Sequence, residues 1–273
     1  MSFFCEQHGI RVPRSHFTQP GEDVASSAAD FPFPCLVKVT RHFERESFPD
    51  TDLKVFQSAG SLVERYRSRP ELLGHTFWQQ IIEGEDENVF ECNVLIRRSG
   101  ELGGVCCVRR LRQYPPQYGF MSYGRTEENQ VVIEESLKLL RALDYRGLAN
   151  IEFKYQPKDG NYYFMEMNPR LPWSTMLFAA AGVNLPNRAF LDLTGGPDGS
   201  AFGGKQKDGI YALSFNHDAG WFVRSRREGQ ASLLSWLWSL PRAKAHVWWD
   251  WRDPKPGIAA ALHLLRVGLR KLS

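Results

Sequence analysis

The chain lacks the cysteine pattern of a disulfide-stapled protein. Its five cysteines, Cys5, Cys35, Cys92, Cys106 and Cys107, are scattered, odd in number and form no CxxC. That excludes a disulfide framework and fits reduced thiols in a cytoplasm. The start, MSFFCEQHGIRVPRS, has no apolar core long enough for a signal peptide. No run of about 18 apolar residues occurs, so no membrane span is expected. Charge of one sign is also scarce. A net +3 over 273 residues is too small to suggest nucleic-acid binding. There is no internal repeat and no low-complexity tract. The remaining composition, 42% hydrophobic and 24% charged, is that of an ordinary soluble globular protein with one large domain or two small ones.

Periodicity gives a mixed α and β reading. Ser2 to His8 reads as a helix end stopped by Gly9, and Cys35 to Val39 as a strand carrying Lys38. Ser58 to Ser68 reads as a helix with Leu62 and Val63 inward, and Thr76 to Ile82 as a strand. Val89 to Ile96 and Gly103 to Arg109 read as a hairpin turning at Ser99-Gly100. The clearest helix is Glu127 to Leu143, with Val131, Val132, Leu137, Leu140 and Ala142 as its apolar face. Leu185 to Leu193 is a further helix. From Pro197 to Asp208 the composition shifts to Gly, Ser, Lys and Asp, a linker or loop. Beyond it lie six of the eight tryptophans and two helical stretches, Ser232 to Leu240 and Ile258 to Leu272. The last is amphipathic and basic. It either docks on its own domain or makes a peripheral membrane contact.

The stretch richest in chemistry runs from Asn150 to Gly182. Two β-branched and aromatic runs are joined by Gln156-Pro157-Lys158-Asp159-Gly160-Asn161, which predicts a hairpin. Strand alternation puts Glu166 and Asn168 on one face and Met165 and Met167 on the other. The partner strand can bring Glu152 to the same face. Two carboxylates and an amide oxygen suit Mg²⁺, with Mn²⁺ as a second hard ion, held against substrate phosphates. The run Tyr162-Tyr163-Phe164 is apolar enough to bury Glu166, and a buried carboxylate needs a partner. Arg170 lies two residues further on, where a planar fork suits a phosphate or a carboxylate.

These residues resemble the ATP-grasp superfamily. The likeness runs from about Phe4 to Gly195 and is strongest at Glu152, Glu166-x-Asn168-Pro169-Arg170 and Ala181-Gly182-Val183-Asn184-Leu185-Pro186. It is nearest the branch containing the carbamoyl-phosphate synthetase large subunit and D-aspartate-ligase-like carboxylate–amine ligases. The resemblance implies an α+β fold of two lobes with ATP between them: a small lobe at 1–82, a large lobe with the metal site at 83–196, and a Trp-rich, largely helical extension at 197–273. It implies that Glu152, Glu166 and Asn168 bind Mg²⁺ bridging the ATP phosphates, and that Arg170 stabilises the transferring phosphoryl group. Lys38 matches the strand lysine that reaches the phosphates.

The segment Phe77 to Asp86 is similar to the family's hinge. There Gln79 stands where a Glu is usual, Gln80 follows it, Ile82 offers backbone groups to adenine and Asp86 takes the ribose. Of the basic trio Arg109, Arg110 and Arg112, Arg112 is the choice for the γ-phosphate or substrate carboxylate. Ser122 and Arg125, in the loop before the long helix, are further candidate substrate contacts. The loop Thr40 to Asp52 is glycine-free, unlike the family's phosphate loop, and Arg41 or Arg45 would have to substitute.

The implied activity is ATP-dependent ligation of a small-molecule carboxylate to an amine through an acyl phosphate. The alternative is a non-catalytic or partner-dependent ATP-grasp remnant that binds nucleotide or protein. Complete members carry a preceding domain of about a hundred residues. The chain is therefore expected to be a fragment, a short natural form, or one that works with a separate N-terminal partner or as a homodimer.

Overall fold

The computed structural model describes residues 1–40, 46–48, 54–116, 119–196, 202, 204–250, 252–260 and 262. Arg41, Arg45, most of the Thr40 to Asp52 loop and the end of the C-terminal basic helix lie outside these residues.

The described chain is mixed α and β. Its strands are β1 (Ser15–Phe17), β2 (Cys35–Val39), β3 (Lys54–Phe56), β4 (Thr76–Gln80), β5 (Val89–Ile96), β6 (Leu102–Tyr114), β7 (Phe120–Thr126), β8 (Gly147–Gln156), β9 (Asn161–Asn168), β10 (Tyr211–Leu213) and β11 (Ala243–His246). Its helices are α1 (Ser2–Gln7), α2 (Val24–Ala28), α3 (Ala59–Ser68), α4 (Gln130–Ala142), α5 (Thr175–Ala180), α6 (Leu185–Thr194), α7 (Phe215–Arg227) and α8 (Leu233–Ser239). The chain folds as two compact units. Unit 1 is Met1–Glu83 with Gln156–Phe164, and unit 2 is Gly84–Tyr155 with Met165–Ser273.

Unit 1 holds a four-stranded antiparallel sheet in the order β1-β4-β2-β3. Alternation sends Cys35, Val37 and Trp78 into a core with Val24 and Ala28 of α2 and Leu62 and Tyr66 of α3. Tyr66 and Thr76 keep this core satisfied, since Trp78 Nε1 donates to Tyr66 Oη at 2.9 Å and the Tyr66 hydroxyl lies 2.6 Å from Thr76 Oγ1. Leu36, Lys38, Phe77 and Gln79 point to the opposite face. Helix α3 starts on Ser58, whose side chain accepts from the Ser61 amide.

Unit 2 holds a seven-stranded sheet in the order β11-β10-β7-β6-β5-β8-β9. Helix α4 packs on β5 and β6. It is capped by Asn129, which accepts from the Val132 amide. Its buried stripe is Val132, Ile133, Ser136, Leu139 and Leu140, while Val131 is exposed, so the apolar face is rotated from the expected one. A second core gathers Leu95, Cys106 and Val108 with Leu177, Phe178, Leu185 and Ala189 of α5 and α6. Helix α6 ends on Gly195 at φ 70°, the left-handed cap that glycine adopts without Cβ strain.

Three features differ from the sequence reading. Residues 120–126 form strand β7 rather than a loop. This buries Ser122 against Asp218, its Oγ 3.1 Å from Asp218 Oδ1. Within the largely helical extension two short strands also form: β10 pairs antiparallel with β7, and β11 pairs parallel with β10. Strands of three and four residues carry too little periodicity to stand out in a sequence. Helix α7 also escapes the sequence reading, its three arginines and its histidine obscuring the apolar stripe.

Candidate functional site

The centre of the large sheet carries a polar ladder. On β5 and β8, Glu91 lies directly opposite Glu152, and Asn93 lies opposite Asn150. Two carboxylates facing each other across a strand pair repel. Arg110 of β6 resolves that. Its Nε donates to Glu91 Oε1 at 2.7 Å, and its Nη2 pairs with Glu152 Oε1. Burial works against the guanidinium charge, but Glu152 and Glu91 outweigh it and raise its pKa. For Glu152 burial is the leading cause and pushes the carboxyl upward. Arg110 pulls it down, while Glu91 and Glu166 add to the rise.

The ladder continues through amides. Asn150 Nδ2 donates to Asn93 Oδ1 at 3.0 Å and to Glu91 Oε2 at 3.3 Å. On β9, Asn168 Nδ2 donates to Glu166 Oε1 at 2.9 Å and reaches Asn150 Oδ1 at 3.5 Å. Glu152, Glu166 and Asn168 thus belong to one network. Glu166 is exposed rather than buried, because β9 is the edge strand of the sheet. Its carboxylate is therefore open to a ligand from solvent.

Three carboxylates around one guanidinium leave negative charge unbalanced, in an all-oxygen donor set that fits a hard divalent cation. Among the described residues, no three His, Cys, Asp or Glu side chains form a metal cage. Such an ion would draw its remaining ligands from water and a bound phosphate, as Mg²⁺ does.

Of the other expected residues in unit 2, Arg170 is exposed and its Nη1 donates to the Leu171 carbonyl at 3.3 Å. Asp86, in the short turn Asp86–Asn88, accepts from Gln113, at Oδ1 from Nε2 at 2.7 Å and at Oδ2 from the amide at 3.2 Å. Gln113 Oε1 in turn accepts from Arg110 Nη1 at 3.2 Å, so Asp86 is linked to the ladder.

Arg112 is placed elsewhere. A register shift against β7 sets Arg110 opposite Gly124 and Arg112 opposite Tyr123. Such a bulge re-aims a side chain. Arg112 lies over Tyr123 at 4.1 Å and Trp221 at 5.0 Å, with Nε 2.9 Å from the buried Asp218. The arginine that reaches the carboxylates is Arg110.

In unit 1, Lys38 Nζ donates to Gln79 Oε1 at 2.7 Å, and Gln79 Nε2 reaches Ser15 Oγ at 3.3 Å. Both lie on the sheet face that α2 and α3 leave uncovered. The Gln80 side chain accepts from the Arg14 amide at 3.4 Å, a strand-edge contact. Ile82 is buried, and its backbone N–H and C=O have no hydrogen-bond partner among the described residues.

Sequence reasoning missed Glu91, Asn93 and Asn150. The one available signal was a carboxylate and an amide at alternate positions of an otherwise apolar strand, Val89–Ile96.

The mixed α and β architecture, with its seven-stranded sheet and smaller antiparallel sheet, matches the ATP-grasp fold of its solved structural neighbours. Residues 124–190 match the family described as carbamoyl-phosphate synthase L chain, ATP binding domain. It is 26% identical over 133 residues to the D-aspartate ligase of Enterococcus faecium, a match spanning 45% of this chain and 32% of the ligase. The biotin carboxylase of Campylobacter jejuni, solved as a βγ-ATP complex, superposes with TM-score 0.58 at 17% identity, over 77% of this chain and 48% of that one. The biotin carboxylase domain of Hydrogenobacter thermophilus 2-oxoglutarate carboxylase, solved with MgADP, superposes with TM-score 0.56 at 17% identity, over 77% and 47%. The chain thus spans about a third of the ligase and about half of the solved structures. Among the described residues, no helix is long and apolar enough to cross a membrane.

Proposed function

We propose that the chain binds Mg-ATP and transfers its γ-phosphoryl group to a small-molecule carboxylate, whose acyl phosphate is then captured by an amine. The observation that carries this reading is the polar ladder of Glu91, Arg110, Glu152, Asn150, Asn168 and Glu166, an acidic oxygen cluster with one strand open to solvent. The family match over residues 124–190 and the ligase and carboxylase relatives support it.

Phosphoryl transfer needs charge neutralisation and alignment more than a protein nucleophile. Glu152, Glu166 and Asn168 would hold Mg²⁺. The ion would neutralise phosphate charge in the transition state. Arg110 favours the ionised form of Glu152 and aims it, and Arg170, on the loop after β9, would meet the transferring group. Lys38 would place an ammonium on phosphate oxygens, with Gln79 as its present partner standing aside. Ile82 would offer its backbone pair to adenine, flanked by Gln79 and Gln80, and Asp86 would serve the ribose while bracing Gln113.

A phosphate-release screen across amino acids and other small carboxylates, with ammonia and simple amines as acceptors, tests the reading. Carboxylate-dependent release is expected. Lys38→Ala should lower kcat/KM for ATP about 10- to 100-fold, the worth of one charge-assisted hydrogen bond. Binding of Mg-ATP with no turnover on any acid would favour the nucleotide-binding remnant instead.

A further inference from the structure

Helix α8 is held by one side and offers the other to solvent. Trp236 is its anchor. The indole Nε1 donates to the buried Asp218 Oδ2 at 2.8 Å, and the ring stacks on Phe222 of α7 at 4.5 Å between centroids. Leu233, Leu234, Leu237 and Trp238 sit at spacings of three and four, so they form one stripe. They are 45%, 69%, 46% and 73% exposed. Four large apolar side chains turned outward on a helix that is fixed in place mark an interaction surface.

The charge around the stripe identifies the partner. From Arg224 to Lys244 the chain carries five cations, Arg224, Arg226, Arg227, Arg242 and Lys244, all exposed, and one anion, Glu228. The net charge there, five minus one, is +4, against +3 for the whole chain. Glu228 is already paired with Arg224 at 3.1 Å. Arg226 Nη1 donates to the Ala231 carbonyl at 3.4 Å, which folds the basic end of α7 back toward the start of α8. Leucines and a tryptophan flanked by arginines and a lysine are the composition of a helix that lies in a lipid interface. A second copy of the chain is the poorer occupant, because it would set one +4 segment against another.

We propose that α8 and its basic flanks form a docking surface for an anionic lipid bilayer, with Leu233, Leu234, Leu237 and Trp238 entering the interface and the arginines meeting headgroups. This proposal does not depend on the ATP reading.

The test is co-sedimentation of the full chain with vesicles of phosphatidylcholine alone and of phosphatidylcholine with a third of its lipid replaced by phosphatidylglycerol. At low salt, partitioning onto the anionic vesicles should be at least about tenfold stronger, and it should weaken as salt is raised. The double variant Leu234→Glu with Trp238→Glu should lose binding while its thermal unfolding curve is unchanged, since both side chains are largely exposed. Arg227→Glu with Arg242→Glu should remove the preference for the anionic vesicles. The proposal is overturned if neither vesicle carries the protein down, if both carry it equally, or if the Leu234 and Trp238 variant binds like the parent. Self-association that this variant dissolves, without vesicle binding, would assign the face to a second copy and overturn it as well.

Discussion

Glu166→Gln is expected to lower Mg-ATP-dependent ADP release at least about a hundredfold, the scale of removing one electrostatic group from a transition state. The fold should not register the change. Glu166 is exposed on an edge strand, and the hydrogen bond it accepts from the Asn168 amide is one a glutamine oxygen still accepts. An exposed substitution of this kind shifts stability by roughly 0.5 kcal/mol or less. Ligand binding and architecture are thereby separated. Urea unfolding should overlay the parent curve while turnover collapses. Parent-like ADP release from Glu166→Gln would remove the metal reading of the hairpin.

Arg110→Met is expected to do the reverse and strike the fold first. Glu91 and Arg110 are both buried, and Glu152 is nearly so. Without the guanidinium, two carboxylates face each other across β5 and β8 with no countercharge. Removing one partner of a buried ion pair costs about 3–5 kcal/mol. Urea titration should show that loss, and a double variant adding Glu91→Leu should recover part of it, because the stranded charge is then gone. A loss below about 1 kcal/mol for the single variant would mean that the carboxylates are neutralised by something other than Arg110. The two variants probe different parts of the ladder: Arg110 sits in its buried part on β5, β6 and β8, and Glu166 in its exposed part on β9.

The open half was the part legible in the sequence. Glu166 and Asn168 share a face because strand alternation requires it, and the turn at Asp159-Gly160 announces the hairpin that carries them. Lys38 beside Gln79 follows from two recognisable strands, β2 and β4. Of the buried half the sequence reading includes Glu152 but not Glu91 and Arg110 as its partners, for two reasons. Glu91 stands in a strand that is otherwise almost wholly apolar, and only the long-range register with β8 shows that it meets Glu152. Arg110 and Arg112 look equivalent two apart on one strand. The register shift against β7, a property of a strand read as a loop, sends one to the carboxylates and the other to Tyr123 and Asp218. The apolar run before Glu166 misled for a related reason, since apolar content does not say whether a strand is central or at an edge. The tryptophans of the extension likewise carried no chemical signal. Their meaning lies in direction, with Trp236 turned inward to Asp218 and Trp238 turned out.

Calorimetric titration of the chain with ATP decides whether the ladder is a magnesium-dependent nucleotide site. Saturable binding is expected in the presence of Mg²⁺, lost on addition of EDTA and weakened at least about tenfold in Glu166→Gln. Absence of binding, or binding of equal strength with EDTA and in Glu166→Gln, would contradict it.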